Sequence, residues 1–146
     1  MGRVADLLAI KGSTVHTIDV KATVLDAVKK MVLENVGSLI VMNAEAIHGI
    51  FTERDYLRRI VLEGRTSEAT SLIDVTTERL VCVDPERSID ECMSIMTAER
   101  IRHLPVIHAG RLAGLVSIGD LVKHLTKERE AEISYLTDYI SGKYPA

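Results

Sequence analysis

Apolar residues recur along this chain at two spacings, and each spacing predicts a type of element. Short apolar runs of strand length occur at residues 15–20, 38–42 and 47–51, the last two separated by a polar turn. Between the first two runs, apolar residues recur at intervals of three and four, which is typical of one helix face. These helical positions are Val24, Ala27, Val28, Met31 and Val32. With a further helix over residues 55–62, the first half predicts the order βαββα.

The second half repeats this order. Thr52 aligns with Ser117, which sets an offset of 65 residues (117 minus 52), and the alignment needs no gap from residue 16 to about residue 60. Strands are predicted at residues 80–83, 104–107 and 112–116. The helix stripe is Ile89, Cys92, Met93 and Met96. Because one unit cannot cover both faces of its small sheet, we expect two units that share a core.

The predicted fold is therefore of the mixed α/β (α+β) class, with two tandem βαββα units related by a pseudo-twofold axis. Each unit is expected to have a small mixed sheet with helices on one face. The predicted boundaries are residues 1–62 for the first unit, 63–70 for a polar linker, 71–126 for the second unit and 127–146 for a helical extension. An apolar edge along this extension predicts a dimer contact or a lid on the same core.

Composition narrows the function classes. The 146 residues are 47% hydrophobic and 27% charged, as expected for a soluble globular protein. A net charge of −3 and an aromatic content of 3% give no reason to expect nucleic acid or an anionic membrane as partner. No apolar run approaches the ~18 residues needed to cross a bilayer, so the predicted compartment is the cytoplasm. The histidines and the two cysteines are scattered, and no metal site is predicted.

A duplicated junction carries the candidate chemistry. Residues 49–55 and 114–120 both read as Gly, two apolar residues, a hydroxyl residue, two spacers and Asp. A strand therefore runs into a helix, with Thr52 and Asp55 at one junction and Ser117 and Asp120 at the other. A hydroxyl followed three residues later by a carboxylate is also the pattern of a helix-capping box.

With the repeat and both junctions in view, the chain resembles a tandem CBS-domain pair, or Bateman module. Besides the junctions, the carriers are residues 102–107 (Arg-His-Leu-Pro-Val-Ile) and the unit openings at 4–8 and 72–77. Residues 11–13 and 52–55 most resemble small stand-alone CBS-pair proteins of bacteria and plant organelles. The resemblance implies two βαββα units, usually dimerised into a flat disc of four, that bind an adenosine-containing ligand and act as a sensor rather than a catalyst.

In that setting each Asp is a candidate ribose ligand. An ionised carboxylate can accept hydrogen bonds from both hydroxyls of a ribose, and the adjacent hydroxyl of Thr52 or Ser117 can donate to a ribose or phosphate oxygen. The free N–H groups at the helix N-terminus suit phosphate. Capping and ligand binding can both hold, because a cap can position the carboxylate for the ligand. The duplication favours the ligand role for Asp55 and Asp120.

Two further residues are expected to contact the ligand at the second junction. Arg102 is a planar multi-donor suited to phosphate, and His103 can donate as well. The alternative is a solvated charge at a strand edge beside a histidine packed in the cleft. Because the first copy has Gly37 and Ser38 at these positions, the two clefts should differ. The stronger site is predicted at Asp120.

Four residues are weaker candidates. Arg54 is predicted to reach phosphate, to cross a dimer interface or to be a solvated helix charge. Lys11 and Ser13 precede the first strand and are expected to line a cleft. Thr77, in the step before the second unit's first strand, is expected to touch adenine or ribose.

Two functions follow for the whole chain. The first is a non-catalytic sensor of AMP or NAD(H), with ATP, ADP and S-adenosylmethionine as further ligands, that forms a homodimer and signals to an unknown protein partner. The alternative is a nucleotide-independent interaction or dimerisation protein, for example a regulator of a thioredoxin-like enzyme. No Ser/His/Asp set, Walker loop or Cys/His cluster occurs, so an enzyme is not predicted.

Overall fold

The computed structural model describes residues 2–76 and 78–140, and it confirms the predicted mixed class of small sheets and packed helices. A π-helical segment, Tyr56–Val61, follows α3 directly, and a short 3-10 helix, Leu72–Asp74, opens the second unit. The other elements, in chain order, are α1 (Val4–Lys11), β1 (Thr17–Asp19), α2 (Val24–Glu34), β2 (Ser38–Asn43), β3 (Ala46–Thr52), α3 (Glu53–Asp55), α4 (Ile89–Glu99), β4 (His103–His108), β5 (Arg111–Ser117) and α5 (Ile118–Ile140).

The two sheets follow one plan but differ at the first strand. In the first unit β1 runs parallel to β2, and β2 pairs antiparallel with β3. In the second unit the predicted strand at residues 80–83 is reduced to a single bridge between Val83 and Val106. Proline explains the difference. The N–H of Ile40 donates to the carbonyl of His16 over 3.1 Å, whereas Pro105, at the matching position, has no N–H to donate.

The repeat extends to details of the backbone. Asn35 and Arg100 end the matching helices α2 and α4 in the left-handed conformation, with φ of 54° and 56°. Ala44 and Ala109 begin the two tight hairpin turns at φ of 54° and 51°. Both hairpins also shift register at the same place in the repeat. The offset of 65 residues therefore relates two copies of one backbone design.

The opening segments of the two units are exchanged between the cores. The first core consists of buried residues between Val20 and Ile60 together with Leu72 and Val75. The second core extends from Val83 to Leu121 and includes Val4 and Leu7 of α1. Helix α1, which the apolar pattern did not indicate, therefore packs on the second unit. This packing is close: a Cβ added at Gly114 would lie 2.8 Å from Cδ2 of Leu8.

Helix α5 extends the second unit by 23 residues. Its first turns are anchored by the buried Leu121, but Ile133 and Leu136 further along are 61% and 51% exposed. An apolar edge thus continues along the helix away from the core. Within the part of the chain that the structure describes, no helix is both long enough and apolar enough to cross a membrane.

Candidate functional site

A cleft of about 760 Å³ lies between the two units, and both contribute to its walls. The first unit supplies Gly37, Ile50 and the junction residues from Thr52 to Asp55. The second unit supplies the segment from Arg79 to Val81, the end of α4 and the beginning of β4. We call this space the Asp55 cleft, and it brings together four of the residues predicted from the sequence with Asp55: Thr52, Arg54, Arg102 and His103.

The Thr52–Asp55 junction forms the capping box that the spacing predicts. Oδ2 of Asp55 accepts hydrogen bonds from the backbone N–H of Thr52 (2.9 Å) and from its hydroxyl (3.1 Å). The N–H of Asp55 donates in return to Oγ1 of Thr52 over 3.2 Å. Nε of Arg59 lies 4.0 Å from Oδ1 of Asp55. These contacts fix the carboxylate at the cleft wall, and its contact with a ribose stays a prediction.

Arginine dominates the charge of this cleft. Its charged lining residues are Glu53, Asp55 and four arginines, Arg54, Arg79, Arg100 and Arg102, whereas the whole chain carries a net charge of −3. The sequence analysis missed Arg79 and Arg100. The 65-residue alignment contains the signal for both, because Arg79 aligns with Thr14 and Arg100 with Asn35. A cluster of guanidinium groups between two units is suited to phosphate.

Arg54 links the two units within one chain. Its guanidinium donates to the backbone carbonyl of Arg100 over 3.0 Å. That carbonyl belongs to the left-handed residue that ends α4, where carbonyl groups lack partners within the helix. Arg54 thus joins the first junction to the second unit while lining the cleft.

Arg102 and His103 lie in the Asp55 cleft, so the prediction that they serve the Asp120 site is wrong. The backbone of this segment does belong to the second junction, because the N–H of Ile118 donates to the carbonyl of Arg102 over 2.8 Å. The two side chains, however, line the space facing the first unit. His103 lies near its centre, since Cε1 is 3.8 Å from a Cβ built at Gly37.

His103 contributes a neutral ring rather than a cation at neutral pH. Burial is the largest influence and lowers the pKa of His103 below the ordinary value of 6.5. The negative charges of Asp120 and Glu53 act in the opposite direction, and those of Lys11 and Arg102 add to the decrease. A neutral imidazole can donate from one nitrogen and accept at the other.

The second junction is occupied by a lysine. Oδ2 of Asp120 accepts from the N–H of Ser117 over 2.9 Å and lies 2.5 Å from Nζ of Lys11. The same ammonium donates to the carbonyl of Leu115 over 2.7 Å. Burial acts to raise the pKa of Asp120, but the hydrogen bonds from Lys11 and Ser117 outweigh it and leave the pKa below the ordinary value. We call this arrangement the Asp120 site.

The remaining predicted residues are not brought into the Asp55 cleft. Ser13 is exposed in the segment that follows α1, and Thr77 lies outside the residues that the structure describes. Its neighbour Thr76 is buried, and its hydroxyl donates to the carbonyl of Leu72 over 2.5 Å.

Comparison with known proteins identifies the family. The model of the CBS domain matches residues 5–62 and 72–127. The mitochondrial CBS domain-containing protein CBSX3 of Arabidopsis thaliana is 46% identical over 127 residues, which are 84% of this chain and 62% of the plant protein. The chain thus spans less than two thirds of that relative.

Solved structures agree with this fold. A protein with CBS domains from Burkholderia ambifaria is 44% identical, with a TM-score of 0.82 over 84% of this chain and 93% of its own. The CBS domain pair of protein MJ0100, solved in complex with 5′-methylthioadenosine and S-adenosyl-L-methionine, has a TM-score of 0.76 over 86% of this chain and 97% of its own. At 17% identity, that likeness shows the fold alone. The chain belongs to the CBS-domain family and contains two CBS domains in tandem.

Proposed function

We propose that the chain is a non-catalytic regulatory module that binds an adenosine-containing nucleotide, AMP or NAD(H), in the Asp55 cleft. The observation that carries the proposal is the pairing of Asp55 with the arginine cluster in one space between two units. A nucleotide needs both kinds of group, because its ribose offers hydroxyl donors and its phosphate offers anionic acceptors.

The roles of the lining residues follow from their chemistry. Asp55 accepts hydrogen bonds from the ribose hydroxyls, and Arg79, Arg100 and Arg102 bind phosphate oxygens through their guanidinium forks. The neutral ring of His103 donates a hydrogen bond without adding charge. The adenine ring is held by apolar side chains of both units. Those apolar lining residues are Ile50, Leu80, Val81, Met96, Ile101 and Ile118.

A binding site between two units also supplies a means of signalling. Ligand contacts on both sides of the cleft restrict the angle between the units, and the ligand can shift the equilibrium only by its differential affinity for the two angles. Arg54 is placed to respond, because phosphate and the carbonyl of Arg100 compete for the same guanidinium. A homodimer that uses the exposed apolar edge of α5 would present this change to a partner protein.

Support for the ligand class comes from the family. The related pair of protein MJ0100 was solved with two adenosine compounds, 5′-methylthioadenosine and S-adenosyl-L-methionine. The arginines favour a ligand that carries phosphate, which the two compounds bound by that protein lack. AMP and NAD(H) share the adenosine group and add phosphate, and they are therefore the ligands to test first.

Equilibrium dialysis and thermal unfolding with AMP, NAD and S-adenosylmethionine test the proposal. A ligand at one hundred times its dissociation constant raises the free energy of unfolding by about 2.7 kcal/mol. Asp55→Ala should abolish AMP binding. Asp26→Ala is the matched control, because Asp26 forms the same capping box with Thr23 at the beginning of α2, outside the cleft. Binding of none of the three compounds, or equal binding to Asp55→Ala and Asp26→Ala, would overturn the proposal.

The exposed apolar side chains support a second candidate, a protein that binds its partner without nucleotide. Val32 and Leu33 on α2 are 77% and 81% exposed, and α5 adds Ile133 and Leu136. Capture of a partner that is unaffected by AMP and by Asp55→Ala would favour this function. Capture that changes with AMP would favour the sensor.

A further inference from the structure

The Asp120 site holds a cation supplied by the chain itself. Nζ of Lys11 makes two contacts there, one with the carboxylate of Asp120 at 2.5 Å and one with the carbonyl of Leu115 at 2.7 Å. The side chains of Lys11 and Asp120 are only 31% and 25% exposed. Oδ2 of Asp120 accepts from Ser117 as well, so this oxygen already has two donors.

The fold places Lys11 at this position. It is the last residue of α1, whose Val4 and Leu7 are buried in the second core. Gly12 follows at a φ of 96°, where the chain leaves the helix. Lys11 therefore extends from a packed helix to the carboxylate, so little conformational freedom is lost when the ion pair forms.

The first unit has no equivalent of this contact. At an offset of 65 residues, Lys11 aligns with Thr76, which is buried and donates its hydroxyl to the carbonyl of Leu72. The nearest cation given for Asp55 is Arg59, with Nε 4.0 Å from Oδ1. The two junctions are thus alike in their caps and differ in the group presented to the carboxylate.

We propose that Lys11 acts as an internal occupant of the Asp120 site, so that the chain binds one nucleotide at Asp55 and holds a second, latent ribose site closed. This inference rests on the proposed function for its ligand class. A ribose hydroxyl that bonds to Asp120 must displace a charged donor, and charge-assisted hydrogen bonds are about twice as strong as neutral ones. The Lys11–Asp120 ion pair therefore competes directly with ligand.

Replacing the lysine should open the site. Lys11→Met keeps an unbranched, unpaired side chain of similar length and removes the ammonium, so AMP should bind Asp120 at least about tenfold more tightly than in the unaltered chain. Equilibrium dialysis of AMP, with NAD in a separate arm, measures the number bound per chain. We expect one in the unaltered chain and two in Lys11→Met. Lys21→Met removes an exposed lysine and should leave the number at one.

Combination with Asp55→Ala isolates the second site. Asp55→Ala alone should bind no AMP, and Lys11→Met with Asp55→Ala should bind one. If the unaltered chain binds none and Lys11→Met binds one, the proposed function of the Asp55 cleft fails while this inference stands. An unchanged number in Lys11→Met overturns the inference. Weaker AMP binding in Lys11→Met also overturns it, because Lys11 would then be a phosphate ligand. Circular dichroism spectra that match across the set confirm that every variant is folded.

Discussion

The two junctions share a backbone design and differ in charge. Thr52 and Asp55 form the same cap as Ser117 and Asp120, and the neighbouring left-handed residues and hairpin turns also match. The cations of the first cleft have no counterparts at the second junction. Arg54, Arg79, Arg100 and Arg102 align with Gly119, Thr14, Asn35 and Gly37. Duplication thus preserved the scaffold, while a few positions outside the caps assign different chemistry to each half.

Lys11 completes this contrast. At the first junction the cations line a cleft of about 760 Å³ and lie around the carboxylate. At the second junction one cation lies directly on the carboxylate. A cap alone therefore does not make a binding site, and what surrounds the carboxylate decides its role.

The largest expected effects test the exchange of opening segments. Leu7 and Leu72 are 65 residues apart and are buried to 3% and 0% exposure, each in the core of the other unit. Leu72→Ala and Leu7→Ala should each lower the free energy of unfolding by about 2–5 kcal/mol, because each leaves a cavity. Urea unfolding measures this change. A loss below about 1 kcal/mol for either variant would contradict the exchanged packing.

The next effect concerns phosphate binding in the Asp55 cleft. Arg79→Ala and Arg102→Ala should each weaken AMP binding by about tenfold, since each removes a charge-assisted hydrogen bond. Adenosine, which lacks phosphate, should bind both variants as it binds the unaltered chain. Titration calorimetry with AMP and adenosine separates the two contributions. Equal losses for both compounds would show that the arginines hold the cleft together rather than bind phosphate.

A smaller effect is expected for the link between the units. Arg54→Ala removes the hydrogen bond to the carbonyl of Arg100 and should lower the free energy of unfolding by about 1 kcal/mol or less, because the side chain is exposed. Arg58→Ala, an exposed arginine on the π-helical segment, serves as the control. Chemical denaturation of both variants measures the difference, and no difference between them would remove Arg54 as a link.

The smallest effect is a pH dependence that only the first cleft should show. Because burial depresses the pKa of His103 in the folded state, the unfolded chain takes up the proton first as the pH falls below about 6.5. His103 therefore leaves stability intact above that pH and lowers it as the pH falls towards the folded-state pKa. In His103→Gln, the loss between pH 7.5 and pH 5.5 should be smaller by less than about 1 kcal/mol.

His108→Gln provides the comparison for that experiment, because His108 is exposed at the other end of β4. Both variants lose one histidine, so any difference between their pH profiles reports the buried ring. Identical profiles would mean that burial of His103 does not affect its protonation.

Much of the fold follows from local pattern. The repeat, the strands of both hairpins and the caps at Thr23, Thr52 and Ser88 can be predicted because they depend on residues close in sequence. Helix α1 was missed, since its apolar face is short and its partner core lies more than 70 residues away, beginning at Val83. The loss of the strand at residues 80–83 depends on Pro105, a residue on a neighbouring strand.

The site was predictable in part for the same reason. Thr52 and Asp55 form one local motif, and the alignment of the copies could have indicated Arg79 and Arg100. The assignment of Arg102 and His103 to the Asp120 site failed because the alignment gives their place in the unit but not the side to which their side chains turn. The Lys11–Asp120 ion pair joins residues 109 apart in sequence, and only the exchange of α1 brings them together.

A crystal structure of the chain with AMP tests the central claim most directly. We predict that the ribose hydroxyls lie within hydrogen-bond distance of the carboxylate of Asp55. The phosphate should lie among Arg79, Arg100 and Arg102, and the Lys11–Asp120 ion pair should remain intact. AMP bound at Asp120, with Lys11 displaced and the Asp55 cleft without nucleotide, would contradict the account.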